Sequence, residues 1–251
     1  ATTLQKEEAA QLVGEAYAVR ALAYFDLVKF FARPLNHTSD GSHLGVPLVL
    51  LPITSISEVV YPARNTAKEV YDRISLDIEE ALKRLPASGN VLYNGTTNST
   101  LQKIRFNKFS ALALKARVAI YTENWQAAID ASNLVIASGK YTLYPYGSMV
   151  QDFRTHNSSE SIFEVANNTN DNAGTDSYAY LSSQSGYGEL LGTSQSMNSK
   201  STGTTLSTFK GLYDAYSNTD VRRIFLSLGN RNSLGGEINV PLCAKYINIS
   251  T

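Results

Sequence analysis

The chain of 251 residues is long enough to bury a substantial hydrophobic core, and its 22 basic and 22 acidic residues give a formal net charge of zero. This balance excludes the basic stripe that binds nucleic acid and the polybasic patch that binds anionic lipid. Charged residues make up only 18% of the chain, against roughly 25% in typical soluble domains, and Ser, Thr, Asn, Gly and 15 Tyr take their place. Such a polar but sparsely charged surface suits hydroxyl-rich ligands such as sugars.

Residues 6–31 predict one long helix, whose second half is apolar on nearly every side. A helix of this kind lies in a large core or in a membrane, and three charges in the second half favour the core. Pro34 predicts its end. The connection that follows, residues 32–65, is long and contains a short apolar extended stretch at 46–51. Long ordered loops are often functional.

A second helix is predicted at residues 66–85. Thr66 is its expected N-cap, and Glu69 three positions later completes a capping box. One apolar stripe at helical spacing runs along it and predicts a face buried against a neighbour. The Ser-, Thr-, Asn- and Gly-rich segment at 87–103 then predicts a loop.

Residues 105–139 form the clearest unit of the sequence. One helix is predicted at 107–122 and a second at 125–138, with Gly139 as the left-handed residue that ends it. The link of only two residues, Glu123 and Asn124, predicts an antiparallel helical hairpin.

Small residues in this hairpin allow its two helices to approach closely. Ala116 and Ala128 lie twelve positions apart, and Trp125 stands just before the second of them. This placement resembles a tetratricopeptide helical hairpin, in which small residues occupy the two positions and an aromatic residue the third. The same position predicts Trp125 as a core residue.

The chain changes character beyond residue 143. A short strand is predicted at 161–166, a short helix at 206–216, and two strands at 224–228 and 240–247. Between them lie Asn-, Ser-, Thr- and Gly-rich segments with too many tyrosines for low-complexity disorder. The sequence thus predicts a helical-repeat scaffold at 1–143, with a loop insertion at 32–65, and an irregular loop-rich subdomain at 144–251.

Several segments, in this order, resemble the SusD/RagB family of outer-membrane nutrient-binding lipoproteins. The first is EAYAVRALAYFDLV at residues 15–28, similar to a family helix with the pattern RAxxYFDLV, and Val-Pro follows at 46–47. The others are YDRISLDIEEALKRLP at 71–86, the hairpin at 105–143, SESIFEV at 159–165, DVRR at 220–223 and Lys-Tyr at 245–246. The resemblance implies a mostly α fold built from tetratricopeptide-like hairpins.

In function, the resemblance implies a non-catalytic protein that captures oligosaccharides on the extracellular face of the outer membrane. It also implies an N-terminal lipid anchor and delivery of the glycan to a SusC-like TonB-dependent transporter. The alternatives are a tetratricopeptide-like scaffold that binds a protein and, third, a glycoside hydrolase. Neither nucleic acid nor a cofactor is expected.

Two features of the family are absent from this sequence: the lipidated cysteine with the family's first helix, and the C-terminal helical repeat. The chain is therefore expected to be a truncated part of a longer protein. A helical solenoid without a terminal repeat exposes an apolar face, so we expect the isolated chain to be marginally stable or to associate. A sharp melting transition that is independent of concentration would contradict this.

Motifs for catalysis or metal binding are weak. The three histidines, His37, His43 and His156, lack metal-ligand spacing and predict solvated loop residues, and the single Cys243 predicts a buried inert thiol. Asn168, Asn170 and Asn172 alternate as in a calcium loop, but Ala173 stands where that loop needs glycine, so calcium stays only a possibility. The carboxylate pairs Glu79–Glu80 and Glu160–Glu164 are the hydrolase candidates.

Ligand contacts are expected from aromatic and amide side chains in the loops. Sugar CH groups lie on aromatic rings, while amides bind the hydroxyl groups. The candidate ligand-binding residues are Tyr61, Asn36, Asn172, Tyr178, Tyr180 and Tyr187.

Overall fold

The computed structural model describes residues 2–99, 101–166, 216–229 and 240–243. Its helices are α1 (Thr3–Phe31), α2 (Ala67–Arg84), α3 (Lys108–Tyr121), α4 (Trp125–Ala137) and α5 (Met149–Phe153). Its strands are β1 (Leu92–Tyr93), β2 (Thr96–Thr97), β3 (Leu226–Gly229) and β4 (Val240–Cys243), and single 3-10 turns lie at Leu35–His37, Ile56–Glu58 and Val221–Phe225. The predicted mostly α fold is confirmed.

The chain forms two compact units. The first comprises Ala1–Thr142 with Ser161–Val165, and the second comprises Leu143–Glu160 with Ala166–Thr251. In the described ranges, no helix is both long enough and apolar enough to cross a membrane.

Helices α1 and α2 pack against each other and form most of the core of the first unit. The capping box of Thr66 and Glu69 begins α2 as predicted, and a capping box of Thr2 and Gln5 begins α1 three residues before the predicted start. Gly14 stands where the helices come closest. A Cβ atom there would lie 3.1 Å from Cβ of Arg84 and 3.3 Å from the carbonyl oxygen of Ala81.

A buried ion pair joins the same two helices. The Asp77 carboxylate of α2 is fully buried and accepts two hydrogen bonds from Arg20 of α1, at 2.7 Å from Nε and 2.7 Å from the terminal nitrogen. Arg73, one helical turn before Asp77, donates to the same carboxylate. Two guanidinium groups thus satisfy a charge that has no access to water, as burial of a carboxylate requires.

Helices α3 and α4 form the predicted hairpin. Asn107 caps α3 by accepting hydrogen bonds from two backbone amides, and Asn124 caps α4. Glu123 between the helices has a φ of 57°, and Gly139 has a φ of 63° just after α4 ends. Of the two small residues that the tetratricopeptide pattern names, Ala116 packs in a cluster with Ala131 of α4, and Ala128 is buried on the same face of α4.

The prediction that Trp125 lies in the core is wrong, because 60% of its surface is exposed. The buried face of α4 consists of Ala128, Ala131 and Val135. At 100° per residue, Trp125 points about 90° away from the centre of that face. The spacing of the small residues predicted that α3 and α4 pack together, but it did not predict that the Trp125 side chain points away from that contact.

The prediction of a strand at 161–166 is also wrong. This segment is extended but is not part of a strand, and Glu164 N donates to Lys103 O at 2.7 Å. Phe163 stacks on Phe106 with ring centroids 4.5 Å apart. Stacking of Phe163 on Phe106 therefore holds the segment in place without the backbone hydrogen bonds of a β-ladder.

A hairpin of β1 and β2 lies where the sequence predicted a loop. Leu92 pairs with Thr97 and Tyr93 with Thr96. The turn residues Asn94 and Gly95 both have positive φ, 52° and 73°. Asn-Gly is the strongest short signal for a tight hairpin turn, so the sequence contained this information.

Side chains of α1 hold this hairpin in place. The Glu8 carboxylate accepts hydrogen bonds from the turn amides of Asn94 (2.9 Å) and Gly95 (3.0 Å). The buried Gln11 bonds both backbone groups of Leu92, through its amide oxygen at 2.8 Å and its amide nitrogen at 3.3 Å. Side chains of α1 thus bind backbone groups of the hairpin that a third strand would otherwise pair with.

The long connection between α1 and α2 is closed at its base. Gly45 N donates to Asn65 O at 2.7 Å, and Arg64 donates to the carbonyls of Gly45 (2.6 Å) and Phe31 (2.9 Å). The Tyr24 hydroxyl of α1 donates to Val49 O at 2.9 Å and accepts from Val49 N at 2.7 Å. The loop is therefore anchored before its exposed apolar part begins.

Replacement of Tyr24 by phenylalanine is expected to lower the free energy of unfolding by about 1–2 kcal/mol, because both backbone groups of Val49 lose their partner. Amide hydrogen exchange at Val49 should accelerate in the same variant. Tyr61→Phe is the control, since that side chain is 94% exposed and its hydroxyl loss should be neutral. Equal effects of the two substitutions would contradict the anchoring role.

In the second unit, Phe153 of α5 packs edge-on against Phe225, with centroids 5.3 Å apart. β3 and β4 pair antiparallel from Leu226–Cys243 to Gly229–Val240. The two predicted strands thus exist, although the first begins two residues late because residues 221–225 form a 3-10 turn. The helix predicted at 206–216 lies almost wholly outside the described residues.

Candidate functional site

A cavity of about 380 Å³ opens in the first unit where three segments converge. These are the loop after α1, the first turn of α2 and the end of α3 with the link to α4. Its lining residues are Leu35, Asn36, Thr38, Ser39, Asp40, Gly41, Lys68, Tyr121, Thr122 and Glu123. The volume lies within the range of about 300–1,000 Å³ that is usual for small-molecule sites.

Backbone contacts fold the loop against α2. Gly41 O accepts a hydrogen bond from Lys68 N at 3.0 Å, and His43 O accepts one from Ala67 N at 2.8 Å. Gly41 has a φ of +68°, and a Cβ atom there would lie 2.9 Å from Cδ1 of Leu35. Glycine is therefore required both by the backbone turn and by the close packing.

Asn36, one of the candidate residues from the sequence, lies in the wall of this cavity. Its side-chain nitrogen donates to Oε1 of Glu123 at 2.8 Å, across a sequence separation of 87 residues. The amide oxygen of Asn36 and the second carboxylate oxygen of Glu123 are acceptors that a hydroxyl group can use. The pair therefore offers directed hydrogen bonding at a fixed position.

Tyr121, at the end of α3, supplies the aromatic ring of the cavity. Its ring meets that of the buried Phe25 edge-on, with centroids 5.1 Å apart, and 52% of the residue remains exposed. Phe25 therefore packs against one side of the Tyr121 ring, and another side of that ring is exposed to solvent. Tyr121 is not among the residues predicted from the sequence, because it lies inside a predicted helix and only the fold brings it to the loop.

Charged groups at the cavity are held by local partners. Hydrogen bonds from Ser42 lower the pKa of the Asp40 carboxyl, which therefore stays ionised at neutral pH. Lys68 pairs with Asp72 one turn further along α2, at 2.6 Å. The site therefore presents a balanced set of donors and acceptors around one aromatic ring.

Two of the histidines strengthen the loop beside the cavity. The rings of His37 and His43 meet at right angles, 5.2 Å apart. His43 Nε2 donates to Arg33 O at 3.2 Å, so in its neutral form Nδ1 accepts from the Thr38 hydroxyl at 2.9 Å. Within the part of the chain that the structure describes, no group of three or more His, Cys, Asp or Glu residues is arranged to hold a metal ion.

The other candidate residues do not line this cavity. Tyr61 projects from the connection between α1 and α2 and is 94% exposed. Asn172, Tyr178, Tyr180 and Tyr187 lie outside the described residues, as do Asn168 and Asn170 of the possible calcium loop. Their roles stay predictions.

The carboxylate pair Glu79–Glu80 has partners that do not suit acid catalysis. Hydrogen bonds from Lys83 and Arg84 lower the pKa of Glu80, whereas a general acid needs a raised pKa. Glu79 forms an ion pair with Lys115 at 2.6 Å. Of the other proposed pair, Glu160 accepts a hydrogen bond from Tyr144 N at 3.2 Å. These contacts favour binding over hydrolysis.

Comparison with known proteins shows what this chain is similar to. A family model for SusD-like proteins, described as starch-binding and associating with the outer membrane, matches residues 1–120. A SusD-like protein from Formosa agariphila is 35% identical over 133 residues, which is 53% of this chain and 22% of that protein.

Solved structures give the same result. A SusD superfamily protein from Bacteroides vulgatus is 27% identical, with a TM-score of 0.64 over 95% of this chain and 48% of that one. A SusD-like carbohydrate binding protein from the same species is 17% identical, with a TM-score of 0.68 over 98% of this chain and 46% of that one, a likeness of fold. The chain spans less than half the length of each of these three relatives.

Proposed function

We propose that this chain, which is similar to SusD-like proteins, belongs to the SusD family and binds glycans at the cell surface as part of a non-catalytic uptake system. The cavity lined by Asn36, Tyr121 and Glu123 is the observation that carries the proposal. It combines a half-exposed ring with amide and carboxylate acceptors. A pyranose needs the ring for its CH face and the acceptors for its hydroxyl groups.

A place and a partner for this binding are part of the same proposal. The matching family model is described as associating with the outer membrane. We place the protein on the extracellular face, held by an N-terminal lipid. A SusC-like TonB-dependent transporter then receives the glycan.

Removal of the Tyr121 ring is expected to weaken glycan binding by about two- to tenfold, since an aromatic contact contributes roughly 0.5–1.5 kcal/mol. Asn36→Ala should weaken binding several-fold. The measurement is a glycan array with the complete mature protein, followed by calorimetry of the best glycan with each variant. Tyr93→Ala is the matched control, because Tyr93 is similarly exposed (49%) but lies on the β1–β2 hairpin.

The tyrosines outside the described residues form a second arm of this experiment. If Tyr178 and Tyr180 supply the ring faces, their joint removal should abolish retention on a glycan affinity gel. Unchanged retention, with a loss in Tyr121→Ala, would assign the site to the cavity alone. Unchanged binding in every variant would remove both assignments.

One observation favours the alternative of a protein-binding scaffold. The outward face of α4 exposes three large apolar side chains, Trp125, Ile129 and Ile136. Such a cluster is typical of a surface that another protein covers. Trp125→Ala separates the two functions, because it should leave glycan affinity unchanged.

A further inference from the structure

A second cavity, of about 280 Å³, lies beside the first between α2 and the α3–α4 hairpin. Its lining residues are Ser75, Ile78, Glu79, Lys115, Val118, Ala119, Thr122, Asn124 and Ala127. Thr122 belongs to the walls of both cavities. The two cavities therefore share a wall residue just after α3 ends.

One stripe of α2 borders both cavities. Lys68 lines the first cavity, and Ser75 and Glu79 line the second. Positions separated by seven and eleven residues lie on the same face of a helix. At 1.5 Å per residue, the stripe from Lys68 to Glu79 is about 16 Å long, which exceeds the length of a single sugar ring.

The second cavity has the composition of a sugar subsite. Ile78, Val118 and Ala119 are each at most 5% exposed and form an apolar floor, and Thr122 and Asn124 add hydroxyl and amide groups, with Thr122 in the wall shared with the first cavity. The Lys115–Glu79 ion pair, 2.6 Å long, connects α3 with α2 and is partly exposed. It offers a donor and an acceptor side by side, a match for adjacent hydroxyl groups.

The charges of both cavities favour an uncharged ligand. Each lysine that lines them is already paired, Lys68 with Asp72 and Lys115 with Glu79. Asp40 and Glu123 add negative charge to the first cavity. An anionic glycan would meet repulsion without a cation to offset it.

We propose that the two cavities are subsites of one groove that binds a neutral, linear oligosaccharide of about three or more sugar units. This inference rests on the proposed glycan-binding function and adds the charge and the length of the ligand. The first cavity holds one end of the chain against Tyr121, and the second holds the units that follow along α2.

Calorimetric titration with maltooligosaccharides, cellooligosaccharides and laminarioligosaccharides of two to seven units tests the groove. For the series that binds, affinity should rise at least about tenfold between two and four units and then level off. Ser75→Leu, which fills the second cavity from an exposed helical position, should remove that rise and leave disaccharide binding unchanged. Glu79→Ala should remove part of it, whereas Tyr121→Ala should weaken every length.

Glu80→Ala is the matched control, because the ion pairs of Glu80 with Lys83 and Arg84 lie away from the cavities. An affinity that is independent of chain length, or an equal loss at all lengths in Ser75→Leu, would overturn the groove while glycan binding stands. Tighter binding of oligogalacturonides than of the neutral series would overturn the neutral ligand. Absence of binding to all of these sugars would overturn the groove, and the array experiment then decides separately on glycan binding itself.

Discussion

Replacement of Asp77 by alanine is expected to lower the free energy of unfolding by about 3–5 kcal/mol. The carboxylate is fully buried at the contact of α1 with α2 and accepts hydrogen bonds from Arg20 and Arg73. Its removal leaves two guanidinium groups facing each other with no counter-charge. Urea denaturation of the wild type and the variant, followed by circular dichroism, measures the difference.

The size of this effect depends on how far the arginines can move. Both guanidinium groups are partly exposed, so each can turn towards water and recover some solvation. Arginine stays protonated in proteins, so neither guanidinium can escape the mismatch by losing its proton once Asp77 is removed. We therefore expect the lower part of the range for alanine, and a smaller loss for asparagine, which keeps the hydrogen-bond acceptor.

Asp72→Ala is the control for Asp77. It removes a carboxylate from the same helix, where the ion pair with Lys68 is largely exposed to solvent. Surface pairs of this kind contribute about 0.2–1 kcal/mol. If the two variants lose similar free energies of unfolding, the contribution of Asp77 to stability does not depend on its burial.

The helices were predictable because their signals are local. The Thr66–Glu69 capping box, the apolar stripe of α2 and the two-residue link after α3 each lie within one short window of sequence. The Asn94-Gly95 turn is equally local, so the β1–β2 hairpin is also predictable from the sequence, although the surrounding segment is rich in loop-forming residues. A helix start depends on its capping residue, and capping residues can be identified in the sequence.

Other features depend on contacts between distant segments. Trp125 was placed in the core from the spacing of small residues, but which side of α4 is covered depends on where α3 lies. The extended segment at 161–166 has a strand-like composition, yet among the described residues no strand pairs with it. Its stabilising contact is a ring from a remote part of the chain, Phe106.

The candidate site likewise combines a residue with a local signal and residues that only the fold brings together. Asn36 was predicted from its loop position, whereas its partner Glu123 and the nearby Tyr121 follow more than 80 residues later. No local pattern links these segments. The candidates Tyr61, Asn172, Tyr178, Tyr180 and Tyr187 stay predictions, as does the division into domains at residue 143.

Replacement of Phe25 by alanine is expected to lower the free energy of unfolding by about 3–5 kcal/mol, the usual cost of emptying a fully buried aromatic position. The Phe25 ring contacts the rings of Tyr71 and Tyr121, and the Lys29 ammonium lies 4.6 Å from its centroid. Its loss thus creates a cavity and removes two edge-to-face ring contacts. Phe30→Ala is the control, because that phenylalanine of the same helix is 79% exposed and should change stability little.

The same residue links stability to binding. Because Phe25 supports one edge of the Tyr121 ring, Phe25→Leu should fill most of the volume, keep the protein folded and yet leave that ring less ordered. Glycan affinity should then fall several-fold, less than in Tyr121→Ala, at a temperature where both proteins are fully folded. If Phe25→Leu loses stability but binds glycan as tightly as the wild type, the orientation of the Tyr121 ring does not depend on the core. Tyr121 would then have to be positioned by the loop around Asn36.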